Sequence, residues 1–407
     1  MSECLYPEDL MKKANLTPRY ALHQIIYFAA ECGTMAFAST YLLNSGLSAD
    51  KVGLVLFGAS FLSFLGQPLA ADIADKAERN ILPALIMGFS LASILCFAVV
   101  RFVPLGILSF SVLYMMGMFL FDVQVPLINS VSVYYSSRDW TLNYGVGRGL
   151  GSVGFAVASL FVGRLLEVRM DWMLPFGMIL TFLNGLMAFT YPKDETKLIS
   201  EAGDGNTVGL FEFFGKYGWY TVSLLGVALI GLIHIMTEYY MIEIMRLHGG
   251  DSSNVGLIFS LSTFAEIPAI VLFSKFHDRL GTKKIFILSS AVFVVKMMLY
   301  LFAPSIKIIM LASLLMLFSY GLYCPVLVYY ANECIRKEDM VKGQSTVYAS
   351  YSLGGAIGCL VGGTIISASG VGTMLIAAVI MGVAGLAVLL FTVPRALKTT
   401  EQSGETT

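Results

Sequence analysis

Residues 143–166 read NYGVGRGLGSVGFAVASLFVGRLL. The run is apolar and long enough to cross a bilayer, for which about 20 residues suffice. Yet it carries Arg148 within its first turns and glycines at 145, 147, 149, 151 and 154. A guanidinium stays charged at ordinary pH, and insertion scales put its cost near a helix centre at roughly 2.5–3.5 kcal/mol. Arg148 must therefore face protein, water or a bound molecule. Gly145 with Gly149, and Gly147 with Gly151, repeat at the four-residue spacing that lets a neighbouring membrane helix come close. A buried charge on a close-packed helix is the first sign of a transport pathway.

The rest of the chain is of the same kind. Of 407 residues, 57% are hydrophobic and only 13% charged, against about 25% charged in soluble domains. The chain reads as an all-α, polytopic membrane protein with room for about twelve transmembrane helices. Apolar windows bounded by Gly, Pro and charge fall at 20–43, 52–71, 81–100, 104–133, 144–166 and 172–191, then at 219–247, 254–276, 285–302, 306–332, 343–368 and 373–391. This predicts a six-helix bundle over 1–191, a cytoplasmic linker over 192–218, a second six-helix bundle over 219–394 and a disordered polar tail over 395–407. The first twenty residues lack an apolar core and read as a cytoplasmic tail, not a signal peptide.

Charge sets the expected orientation. With the N-terminus inside, eighteen Lys and Arg fall on cytoplasmic segments and five on the opposite loops, while Arg148, Arg164 and Lys296 lie within spans. That asymmetry predicts both termini in the cytoplasm. No basic patch exists outside the short loops, so nucleic acid is excluded as a partner. The six cysteines form no close pair, which predicts neither a disulfide nor a metal site. No nucleophile and base constellation stands out in the loops, so the chain does not read as an enzyme, and no cofactor is implied.

The halves resemble each other. Val52-Gly53-Leu54 opens one span and Val255-Gly256-Leu257 opens another 203 residues later; at the same offset Asp75-Lys76 falls on Asp278-Arg279. Such a duplication places two bundles face to face across a central cavity.

Several ionisable groups lie deep within spans: Glu31, Asp122, Arg148, Glu266 and Lys296. Arg164 and Glu243 lie near the outer surface, where they snorkel. Arg148 is suited to binding a hydroxylated or carboxylated substrate; the rival is a structural ion pair with Glu31 or Asp122. Glu266 precedes Ile267-Pro268, and a proline there kinks the helix beside the cavity. The Glu266 carboxylate is suited to accept from substrate or to exchange a proton, and Lys296 can pair with Glu266 or with the tyrosines of the tenth span, in gating or proton coupling or as a static salt bridge. Glu31 and Asp122 are candidate proton carriers, with structural hydrogen bonding as the rival. His234 and Glu238 stand one helical turn apart and form a candidate protonatable pair. Tyr320 and Tyr323 are placed to line a cavity. Gly354, Gly358 and Gly362 form a ridge for helix packing.

Gly66-Gln67-Pro68-Leu69, followed by Asp72 and Asp75-Lys76, resembles the loop between helices two and three that marks the major facilitator superfamily. The Gln-Pro-Leu run and the spacing of Tyr144-Gly145, Arg148, Gly151 and Gly154 resemble more narrowly its oligosaccharide:proton symporter, lactose permease-like, group. The resemblance covers nearly the whole chain as topology and a few dozen positions as motif. It implies that Arg148 binds sugar, that Phe155 takes the place of a stacking tryptophan, and that Glu266 is the central acid of helix eight. It also implies departures: the acidic partner of the arginine falls on Asn129, an arginine position on Lys296, and the His and Glu tied to proton coupling on Tyr320 and Tyr323. By the same resemblance Asp75, Lys76, Asp278 and Arg279 are gating residues.

The expected function is thus a secondary transporter of the plasma membrane, working by alternating access and importing a sugar or oligosaccharide with protons. It would act as a monomer in the lipid bilayer. The alternatives are a carrier of an aromatic acid, nucleoside or drug, including an exporter, or a non-transporting sensor.

Overall fold

The computed structural model describes residues 15–77, 79–138, 140–192 and 209–402. The first fourteen residues, most of the linker (193–208) and the last five residues, on which sequence expectations also fall, lie outside them. Every regular element among the described residues is helical: α1 (Thr17–Glu31), α2 (Ala38–Asn44), α3 (Ala49–Lys76), α4 (Leu82–Phe102), α5 (Ile107–Asp122), α6 (Gln124–Ser136), α7 (Tyr144–Arg169), α8 (Met173–Ala188), α9 (Leu210–Lys216), α10 (Gly218–Tyr239), α11 (Met241–Arg246), α12 (Ser252–Val271), α13 (Phe273–Leu301), α14 (Ile306–Ser313), α15 (Tyr320–Cys334) and α16 (Met340–Gln402), with short 3-10 and π segments between some of them.

Nine helical stretches among the described residues are long and apolar enough to cross a membrane. Two helices carry internal breaks. Gly281 (φ 72°) interrupts α13 and Gly370 (φ 83°) interrupts α16, both in a backbone region that only glycine enters without strain. Large apolar side chains such as Leu95, Leu108, Ile179 and Ile380 point outward and are more than half exposed, as on a surface whose solvent is lipid.

Two expectations are corrected at the ends of helices. Asp75 and Lys76 are the last turn of α3, not a loop, and Asp278 and Arg279 are helical residues ahead of the break at Gly281. The segment from Arg395, expected to be disordered, continues α16 as helix to Gln402, and the Arg395 guanidinium lies 3.5 Å from the Phe391 ring centroid and 5.5 Å from that of Trp219.

Helices α1–α8 pack mainly on one another, as do α10–α16; the two sets meet chiefly where α3 runs along α16 and α7 along α12. Both seams are closed by glycine. A Cβ on Gly53 would lie 2.6 Å from the Cys359 carbonyl oxygen and 3.3 Å from the Gly363 Cα; one on Gly163 would lie 3.0 Å from the Gly256 Cα. Gly53 and Gly256 are the equivalent glycines of the two repeated Val-Gly-Leu triplets, so one sequence device serves both seams.

Polar contacts reinforce this end. The Tyr240 hydroxyl donates to the Cys359 carbonyl at 2.9 Å and lies 3.3 Å from the Ala49 carbonyl. Ser159 Oγ donates to the Gly256 carbonyl at 3.2 Å, Arg246 Nη2 to Asn44 Oδ1 at 2.5 Å, Ser367 Oγ to Asp50 Oδ1 at 3.1 Å and the Ser252 amide to Glu167 Oε1 at 2.7 Å. Among the described residues, the hydrogen bonds between the halves all lie at this end. The opposite end carries the basic segments around Lys76, Arg138, Lys283 and Arg336.

A candidate binding cavity between the halves

Below the two seams lies a cavity of about 260 Å³, lined from both halves. The first half contributes Arg148, Ser152 and Phe155 from α7 and Phe28 and Glu31 from α1; the second contributes His234, Glu238, Glu266, Tyr320 and Tyr351.

Most of the polar lining groups stand beside a helix irregularity. Glu31 ends α1 at a π segment, Cys32–Ala36, the kind of bulge that concentrates at functional sites. Gly33 in that segment presses on Gly177 of α8, where a Cβ would sit 2.7 Å from the Gly177 Cα. Glu238 stands two residues before the break at Tyr240, Glu266 two before Pro268, and Tyr320 opens α15 three residues after the end of the 3-10 segment Leu314–Leu317. Interrupted helices free backbone groups where they face a cavity, as in other transport folds.

Arg148 is held by its own neighbourhood. Its Nη1 donates to Ser152 Oγ at 3.1 Å, and its guanidinium carbon lies 4.1 Å from the centroid of the Phe28 ring. The glycines explain the arrangement: a Cβ on Gly151 would lie 2.6 Å from Phe28 Cδ2, and Gly147 faces the Tyr20 ring. The bare face of α7 thus admits α1 and brings an aromatic ring under the guanidinium. Among the described residues no carboxylate lies within 4 Å of Arg148, so the structural ion pair with Glu31 or Asp122 is not formed. Asn129 is no direct neighbour either. It sits outside the cavity lining, with Gln24 Nε2 3.4 Å from its Oδ1.

Across the cavity, His234 Nε2 lies 3.0 Å from Glu238 Oε1, and Nδ1 is in hydrogen-bond contact with the Tyr351 hydroxyl. The Nε2 contact is close enough for an ion pair but off the line of a hydrogen bond. Tyr351 was not among the expected site residues. Its position is fixed by the glycine ridge: Gly354 packs on the backbone of Ala228 and Gly358 on that of Leu232, so α10 and α16 touch backbone to backbone. The available signal was that Tyr351 lies three residues ahead of Gly354 on the same helix face.

Other expected residues fall outside the cavity. Tyr323 is fully buried behind it, edge-on to Phe286 and Phe293 at 5.5 Å each, its hydroxyl without a hydrogen-bond partner. Lys296 is 2% exposed; its Nζ lies 3.6 Å from Met316 Sδ and 5.6 Å from the Tyr300 ring centroid, with no described carboxylate within 4 Å. The expected pairing with Glu266 is absent. Asp122 accepts from Gln67 Nε2 at 3.2 Å, away from the lining. Lys76 pairs with Asp72 of its own helix at 2.7 Å, both exposed, while Asp75, Asp278 and Arg279 are exposed. Glu243, expected to snorkel, pairs with Arg246 at 2.5 Å.

Relatives share this architecture. The chain is 25% identical over 392 residues to a maltose permease of Geobacillus stearothermophilus, covering 92% of this chain and 94% of that one. It is 24% identical over 283 residues to a probable 3-phenylpropionic acid transporter of Escherichia coli (strain K12), covering 68% and 72%. The crystal structure of the nucleoside transporter NupG superposes with a TM-score of 0.78 at 15% identity, covering 94% of this chain and 99% of that one. Residues 18–377 match the MFS_1 like family, and the chain therefore belongs to that family of major facilitator transporters.

Proposed function

We propose that the protein is a secondary active carrier of the plasma membrane that imports a sugar or oligosaccharide together with protons by alternating access. The single observation that carries this reading is the cavity. It holds a guanidinium, an imidazole and three carboxyl groups between two glycine-sealed halves of an otherwise apolar bundle. With the breaks at Gly281 and Gly370 counted, and the runs that continue across short interruptions joined, the helices make twelve crossings. The seams seal the outer end, the basic end faces the cytoplasm, and both termini lie there. The chain works as a monomer.

Arg148 with Ser152, Glu266 and Tyr320 hydrogen-bond the cargo hydroxyls, and Phe155 offers a ring face to it. The identity to a maltose permease supports a sugar as cargo. Asn129 and Tyr323 shape the helices behind the site. His234 and Glu238 carry the proton, assisted by Tyr351; Glu31 and Glu266 are its further stations, with Asp122 and Lys296 tuning the charge around them. Asp75, Lys76, Asp278 and Arg279 form contacts at the cytoplasmic end when the halves rock to close it.

Purified protein in liposomes with an imposed proton gradient tests this directly. The expected result is accumulation of at least one sugar that collapses when a protonophore is added. No gradient-dependent uptake of any sugar overturns it.

A further inference from the structure

The geometry points to a two-ended cargo: a flat aromatic group seated at the closed end of the cavity, joined to an uncharged, hydroxyl-bearing head at Arg148 and Glu266, as in an aryl glycoside or a nucleoside. This deepens the transport reading above and rests on it.

The two helices that form one seam carry matching sequences of groups. On α7, Phe155 stands one turn before Ser159, whose Oγ donates to the Gly256 carbonyl at the seam. On α12, Phe259 stands one turn after Gly256. The two rings lie directly beneath the seam with centroids 6.4 Å apart and planes at 46°, and the buried Phe37 backs Phe259 edge-on at 5.4 Å. From this aromatic roof each helix runs seven residues toward the open end and reaches its charged group, Arg148 on α7 and Glu266 on α12. All four side chains line the cavity. Seven residues at 1.5 Å each set the charged groups about 10 Å below the rings.

Any hydroxyl that a cargo turns toward Phe155 and Phe259 is stripped of water and left without a partner. A flat ring there meets the offset and edge-on geometry that aromatic groups favour. In the lining as a whole, Arg148 is the one guanidinium among the described residues, against Glu31, Glu238 and Glu266. That excess of carboxyl groups disfavours a carboxylate head and suits hydroxyls, which both donate and accept.

Binding to the purified full chain is measured by calorimetry for methyl and phenyl glucosides, methyl and phenyl galactosides, uridine, adenosine and 3-phenylpropionate. The expected result is that a phenyl glycoside binds at least about tenfold tighter than its methyl partner, or that a nucleoside does, which also tells the two sources apart. Phe155→Leu and Phe259→Leu keep an apolar side chain and should erase that advantage, so that phenyl and methyl glycosides bind alike. Equal affinity within each pair with no nucleoside binding, an advantage that survives both leucine variants, or tightest binding by 3-phenylpropionate overturns the inference. Gradient-driven uptake of methyl glycosides with no preference for a ring sinks the two-ended cargo and leaves the transport reading standing. No gradient-driven uptake of any sugar or neutral glycoside sinks the transport reading instead.

Discussion

The imidazole of His234 lies 3.0 Å from the carboxylate of Glu238, one turn further along α10, and its other nitrogen meets the Tyr351 hydroxyl from α16. Both helices belong to the second half and are locked together through Gly354 and Gly358. The three groups therefore move as one body. Arg148, on the first half, faces them across the cavity. If this chain takes up the proton, as proposed, the charge that Arg148 and the cargo meet changes without requiring the chain itself to rearrange.

That separation of roles predicts different defects. His234→Asn and Glu238→Gln should each abolish uphill, gradient-driven accumulation while leaving cargo exchange across liposomes without a gradient largely intact. Tyr351→Phe should give a weaker version of the same defect, since it removes one hydrogen bond and keeps the ring. Equal loss of exchange and accumulation in all three variants would move these residues from coupling to cargo binding.

Arg148→Ala should lower cargo affinity by about tenfold or more, because a hydrogen bond to a charged donor contributes roughly 1.5–3 kcal/mol and 1.4 kcal/mol is a factor of ten. The fold should survive, since no carboxylate is left unpaired by the change. Arg148→Lys should not rescue binding: a lysine lacks the planar group that lies over Phe28 and bonds Ser152. Calorimetric titration of the transported solute, with thermal unfolding of each variant, checks both statements.

The division between what the sequence reveals and what it hides follows from the physics of each feature. Apolar runs of membrane length and an intramembrane arginine are local signals, so the helices and Arg148 are legible directly. Glu31, Glu238 and Glu266 stand out for the same reason. Tyr351 does not, because its contact with His234 depends on how closely two remote helices cross. Tyr320 and Tyr323 show a second limit. Three residues apart, they look equivalent by spacing, yet only Tyr320 lines the cavity, and the register is set by the 3-10 segment ahead of it. Asn129 shows a third: it lies outside the cavity lining, with Gln24 Nε2 3.4 Å from its Oδ1, and Gln24 is no part of the motif.

Lys296 is an ammonium 2% exposed with a thioether as its nearest acceptor. Burying such a group without a carboxylate is unfavourable. Lys296→Met should therefore leave the thermal unfolding temperature in detergent unchanged or raise it. If Lys296 takes up a partner only when the halves rock, the same variant should transport poorly despite its stability. A clear fall in unfolding temperature would show instead that the ammonium is satisfied as it stands.

The seams give the most direct test of the conformational cycle. A Cβ on Gly163 would lie 2.6 Å from the Ser252 carbonyl oxygen and 3.0 Å from the Gly256 Cα, and one on Gly53 would lie 2.6 Å from the Cys359 carbonyl oxygen. These obstacles are backbone atoms, so no side chain can swing aside to make room. Gly163→Ala and Gly53→Ala should each destabilise the closed end, which the proposed orientation places outside, by about 1–3 kcal/mol, the range for overpacking, and shift the population toward a state open at that end by roughly tenfold. Single cysteines placed at Asn44 or Ser367, on the contacts that link the halves at this end, should then react faster with an impermeant thiol reagent added outside. Gly149→Ala is the control. Its Cβ would meet nothing within 4 Å, and its labelling rates should match the parent; an equal rise in all three variants would mean that glycine flexibility, not seam packing, controls the opening.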